Sequence, residues 1–150
     1  MYDILHRVGI KASPLAVYDA LATCEGLAAW WTTTTGGDSE VGGIIEFRFG
    51  QRGGFDIRVL DLVPGEHVLW QVIDGPGDWI DTRISFDLKQ DGDYTIVMFR
   101  HEGWRKPVEF MHHCSTKWGT FLMSLKALLE TGKAAPFPND VKIDNLEAAA

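Results

Sequence analysis

The chain has 150 residues, of which 45% are hydrophobic and 23% charged, the size and composition of one globular domain rather than a multi-domain assembly. At this length ~70% of the surface of the unfolded chain can be buried, so a full core forms without staples, and no apolar run is long enough to span a bilayer. Fourteen basic against 21 acidic residues give a net charge of -7, which argues against a nucleic-acid partner because phosphate binding needs clustered Lys and Arg.

Cys24 and Cys114 are too few for a disulfide framework or a structural zinc site. The segment from Met1 to Arg7 has no charged stretch followed by an apolar one, so no secretory leader is expected and the cytoplasm is the expected compartment. Leu146-Glu147 ahead of a terminal run of alanines reads as a cloning-site remnant and is kept out of the fold.

Residues 2–11 alternate, with Tyr2, Ile4, His6, Val8 and Ile10 on one face, and predict a half-buried strand. Ser13-Pro14 then signals a helix start, with Ser as N-cap and Pro where a missing N–H costs nothing. Val17, Tyr18, Leu21 and Ala22 follow at helical spacing, and Gly26 is placed to end or kink that helix. A second short helix is expected over Leu27–Trp31, and Thr32–Gly37 is a loop by composition.

Five strands follow, carried by Ile45, Phe47 and Phe49, by Phe55, Ile57 and Val59, and by Val68, Trp70 and Val72. The last two hold Ile80, Thr82, Ile84, Phe86 and Leu88, then Thr95, Val97, Phe99 and His101. Gly-rich turns separate them, and Asp91-Gly92 marks a hairpin, so the strands form an antiparallel meander. From Val108 to Glu130 the period becomes helical. Phe110, Met111, Cys114, Trp118, Phe121, Leu122 and Leu125 make one apolar stripe about 34 Å long at 1.5 Å per residue. Residues 1–132 thus form a single domain, and 133–150 an irregular tail.

The expected class is α+β: a six-stranded curved antiparallel sheet wrapped on a long C-terminal helix, with two short helices after the first strand. A curved sheet cannot follow a straight helix along its length. The space between them is either filled by large side chains or left as a cavity.

This order of elements resembles the START-like (SRPBCC, helix-grip) superfamily. Details resemble its branch of heat-shock-protein-ninety ATPase activator homologues and polyketide cyclase-like proteins. They are Ala12-Ser13-Pro14 with Val17-Tyr18, Trp30-Trp31, Gly42-Gly43, Val68-Leu69-Trp70, His101-Glu102-Gly103-Trp104 and Trp118-Gly119 with Leu122, spread over residues 3–132. The resemblance implies a mostly apolar cavity between sheet and helix. It does not imply one activity, since relatives include carriers, cyclases and chaperone activators.

The expected ligand is a small apolar or aromatic molecule, with Trp30, Trp31, Trp70, Phe86, Phe99, Trp118 and Leu122 giving apolar contact and His101 with Ser115 orienting a polar group. His101 continues the inward register of Val97 and Phe99 and is the only candidate catalytic group; His6 is inward by the same argument. His112, His113 and Cys114 point about 120°, -140° and -40° from Trp118 around the helix, so they cannot share one ion, and no metal or other cofactor is expected. Gly42-Gly43 and Gly53-Gly54 lack the helix that a phosphate cradle needs. The alternatives are a cyclase or aromatase using His101, and a chaperone-ATPase activator acting through protein contacts. A homodimer through Ile96 and Met98 on the outer sheet face remains open.

Overall fold

A computed structural model describes residues 1–147; the alanines of the expected cloning remnant, 148–150, lie outside the described residues. The strands are β1 (Tyr2–Ile10), β2 (Thr34–Gly37), β3 (Ile44–Arg48), β4 (Gly54–Val63), β5 (His67–Asp74), β6 (Arg83–Asp91) and β7 (Tyr94–Trp104). The helices are α1 (Pro14–Ala22), α2 (Cys24–Trp30) and α3 (Glu109–Thr131), with single 3-10 turns at Gly50–Arg52 and Asn145–Glu147. The sheet order is β1-β7-β6-β5-β4-β3-β2, antiparallel throughout and unclosed, with α3 across its concave face. This is the helix-grip fold.

The sheet has seven strands, not six. Thr34–Gly37, read as a loop, pairs with β3 from Thr34 opposite Arg48 to Gly37 opposite Ile45. An edge strand needs partners on one side only, and its paired threonines tolerate extension, so two glycines do not prevent pairing. Two further boundaries move. α2 begins at Cys24 because the Thr23 hydroxyl caps it, accepting from the Gly26 amide at 3.0 Å. β6 begins at Arg83; Ile80 and Thr82 belong to the preceding loop, where Asp81 takes φ 71°.

Local chemistry explains the helix limits. The Ser13 side chain accepts from Ala16 N at 3.1 Å with Pro14 in the first turn. α3 ends on Gly132 at φ 79°, whose amide bonds Leu128 O at 3.0 Å. The inner sheet face carries Val97, Phe99 and His101 from β7 as the alternation predicts, and all three are buried. Ile96 departs from the sequence reading: it lies on the outer face yet is only 4% exposed, so it offers no apolar patch for a partner. Tyr94 and Ile96 pack over Gly9 of β1, within 3.2 Å and 3.4 Å of where a side chain there would begin.

The C-terminal end of β1 is tied to α3. Lys126 Nζ donates to Gly9 O at 2.5 Å, and Lys11 N donates to Glu130 Oε2 at 2.9 Å. Side chains of α3 thereby engage one β1 carbonyl and the first amide beyond Ile10. No described helix is long and apolar enough to cross a membrane.

Candidate functional site

Between sheet and helix the middle of the space is filled. Trp30, Trp70, Phe86, Phe99 and Leu122 are at most 1% exposed. Trp31 is the hub: its ring centroid lies 4.5 Å from Phe47, 4.8 Å from Trp118, 5.1 Å from Phe55 and 6.0 Å from Trp70. Offset and tilted contacts of this kind add about 0.5–1.5 kcal/mol each beyond area burial.

His101 sits inside this packing. Trp118 Nε1 donates to His101 Nδ1 at 3.1 Å, which leaves the proton on Nε2, 2.8 Å from Thr82 Oγ1. Thr82 in turn donates to Trp79 O at 2.5 Å. Burial pushes the imidazole down to about 3, so His101 is neutral and both nitrogens are used. His6 donates from Nε2 to Ser115 O at 3.0 Å, with the Ser115 hydroxyl 3.3 Å away. Ser115 is thereby tied to β1. Trp30 Nε1 donates to Ala20 O at 2.8 Å, and Ser124 Oγ donates to Trp30 O.

A cavity of about 260 Å³ remains at one end of the sheet–helix space. The β3–β4 hairpin supplies Phe49 and Phe55, the β5–β6 loop Pro76 and Trp79, and α3 Phe110, His113, Cys114, Lys117, Trp118 and Phe121. Trp31 forms its inner end, and the C-terminal tail closes a side with Phe137, Asp140, Leu146 and Glu147. Of the sequence-expected ligand residues, Trp31 and Trp118 line this cavity. Trp30, Trp70, Phe86, Phe99, His101, Ser115 and Leu122 lie outside its lining.

Several wall residues carried a signal that the sequence reading did not use. Phe49 directly follows β3 and Phe55 is the second residue of β4, on either side of a Gly-rich turn, so both sit at one end of the sheet. Cys114 and Phe121 share the helix stripe with Trp118. Trp79 and Phe137 lie in irregular segments, where no period shows which way a ring points. Phe137 is held by backbone bonds, from Thr33 N to its carbonyl at 3.1 Å and from its amide to Trp31 O at 2.8 Å.

The polar groups of the wall are mostly engaged. Lys117 Nζ donates to Asp140 Oδ2 and Val141 O, both at 2.5 Å, and is ion-paired with Glu147 at 2.5 Å. Burial pushes the Asp140 carboxyl up, but hydrogen bonds from Lys117 and Lys142 outweigh it and hold the group below its usual range. Cys114 Sγ accepts from Trp79 Nε1 at 3.4 Å, and burial pushes its thiol up to about 12. It is a neutral wall group rather than a nucleophile. His113 Nδ1 lies 2.7 Å from Asp144 Oδ2. Among the described residues no three His, Cys, Asp or Glu side chains converge as a metal cage requires.

Residues 11–130 match the family described as Activator of Hsp90 ATPase homolog 1-like protein. The chain belongs to that family. A solved structure of the Aha1 dimer from Colwellia psychrerythraea is 46% identical, with a TM-score of 0.82, over 89% of this chain and all of that one. Protein CV1439 from Chromobacterium violaceum is 26% identical, with a TM-score of 0.71, over 85% of this chain and 96% of the other. CalU16 from Micromonospora echinospora shares the fold at 19% identity, with a TM-score of 0.71, over 85% of this chain and 74% of its own. None of the curated proteins matches the chain.

Proposed function

We propose that the protein binds a small, flat, aromatic molecule in the end cavity. The observation that carries this reading is an unfilled space of about 260 Å³ walled by the rings of Trp31, Phe49, Phe55, Trp79, Trp118 and Phe121. An apolar cavity of about 150 Å³ takes a benzene ring, so this one has room for two fused rings. Ring faces on both sheet and helix sides favour stacking on a planar ligand over packing around a branched one. Titrating the protein with naphthalene should quench Trp fluorescence saturably, and Cys114→Leu, which extends a side chain into the cavity, should abolish the quenching. Quenching that stays saturable and unchanged in Cys114→Leu places the ligand elsewhere and overturns the reading.

The cyclase alternative assigned proton transfer to His101, which does not line the cavity. Family membership favours a second reading, action on a chaperone ATPase through protein contacts. Adding the protein to its cognate chaperone should then raise the ATPase rate, and an unchanged rate counts against it. The dimeric state of the Colwellia psychrerythraea relative supports a homodimer here. Light scattering that returns the mass of a single chain at working concentration excludes it.

A further inference from the structure

We infer that His113 and Asp144 form a hydrogen-bond-accepting anchor in the end cavity, and that the molecule it takes is a neutral aromatic hydroxyl compound of two fused rings. This rests on the cavity being the binding site. His113 projects from α3 into the cavity wall, and its side chain is 13% exposed. Its ring stacks on Phe110, one turn earlier, at a centroid distance of 5.8 Å and an interplanar angle of 11°, which fixes the imidazole plane.

Asp144 fixes the tautomer. Its Oδ2 lies 2.7 Å from His113 Nδ1, and an ionised carboxylate only accepts, so in the neutral imidazole the proton sits on Nδ1. The other oxygen, Oδ1, accepts from Leu146 N at 3.0 Å, which holds the carboxylate in place. Hydrogen bonds to His113 and Leu146 keep the Asp144 carboxyl below its usual range, so it stays ionised. Nε2 of His113 is then a lone pair without a partner among the described residues.

The remaining polar groups say what that lone pair can recognise. Lys117 is occupied by Asp140, Val141 O and Glu147, and the Cys114 sulfur already accepts from Trp79. Lys117 and Arg52 are the cations of the wall, against the carboxylates of Asp140 and Glu147 lining it and Asp144 behind His113. Lys117 is paired with Asp140 and Glu147, Arg52 is exposed to water, and two cations against three carboxylates disfavour an anion buried beside His113. A ligand O–H donating to Nε2 satisfies that acceptor, whereas a ligand carbonyl leaves two acceptors facing each other.

The test compares three probes of one ring system by Trp quenching at pH 8: naphthalene, 2-naphthol and 2-methoxynaphthalene. A hydroxyl makes 2-naphthol better hydrated than naphthalene, so burial alone ranks it the weaker ligand. The anchor instead predicts that 2-naphthol binds about fivefold tighter than naphthalene, the worth of one ordinary hydrogen bond, and that the methyl ether gains nothing. His113→Phe keeps a ring against Phe110 but removes the acceptor; the ratio of 2-naphthol to naphthalene affinity, each measured on that variant, should fall to one or below. Asp144→Ala should reduce the preference through loss of the fixed tautomer. Equal binding of all three probes, or a naphthol preference that survives His113→Phe, overturns the anchor while leaving the cavity reading intact. Saturable binding by none of the three overturns both.

Discussion

His101 has a hydrogen bond on each ring nitrogen and lies behind Trp118 and Trp79, outside the cavity lining. Its pKa falls from 6.5 to about 3 on folding, so between those values the unfolded chain binds a proton that the folded one refuses. The stabilisation is therefore fully present above pH 6.5 and lost as pH falls, at up to about 1.4 kcal/mol per unit. Urea unfolding from pH 7 to pH 4 should show His101→Gln with a shallower decline than the parent. Parallel declines contradict the assignment. A second residue comparison isolates the same bond. Trp104 Nε1 is buried with no acceptor among the described residues, whereas Trp118 Nε1 serves His101. Trp118→Phe leaves Nδ1 unpaired and should be less stable than Trp104→Phe by about 1–3 kcal/mol in denaturant midpoints.

Two helix glycines behave oppositely. Gly26 in α2 faces α1 so closely that a Cβ would lie 2.6 Å from Ala20 Cα and 2.6 Å from Asp19 O. Backbone cannot yield as a side chain does, so Gly26→Ala should cost about 1–3 kcal/mol. Gly119 in α3 faces β1, where a Cβ would meet only His6 Cε1, at 3.8 Å. There Ala relieves the entropic penalty of a mid-helix glycine, and Gly119→Ala should gain about 0.5–1 kcal/mol. Equilibrium unfolding of both variants checks the signs. The sequence reading took Gly26 as a helix end or kink, because a glycine that interrupts a helix and one that lets another helix approach look alike in one dimension. α3 was readable throughout, since its apolar stripe, Pro107 and Gly132 agree. β2 was not, because a short edge strand carries no buried alternation.

Over the whole molecule the tail is the part that composition described least. Phe137 packs on Phe49 at 5.4 Å, and Asp140 is 7% exposed beside Lys117, so a segment without periodicity supplies one wall of the cavity. A chain ending at Lys133 should bind naphthalene more weakly than the full chain and should raise the fluorescence of a hydrophobic dye at the uncovered Trp31 and Phe49. Unchanged affinity and dye response mean that the tail contributes nothing to the site. The site was legible only in part for this reason. Trp31 and Trp118 belong to periodic elements and could be assigned inward, while Trp79, Phe137 and Asp144 come from irregular segments.

The amino-acid order alone determined which residues alternate, which recur at helical spacing and therefore which rings turn inward, because those periods follow from backbone geometry. From them came the antiparallel sheet, the long helix and the grip between them. Whether the rings fill that space or line it was decided only in three dimensions. Filling depends on how closely a curved sheet approaches a straight helix: the ring centroids of Phe99 and Trp118 are 4.5 Å apart, whereas those of Phe49 and Phe121, in the cavity wall, are 6.4 Å apart. It depends also on where the tail docks, through backbone bonds at Thr33 and Trp31 that no sequence pattern announces.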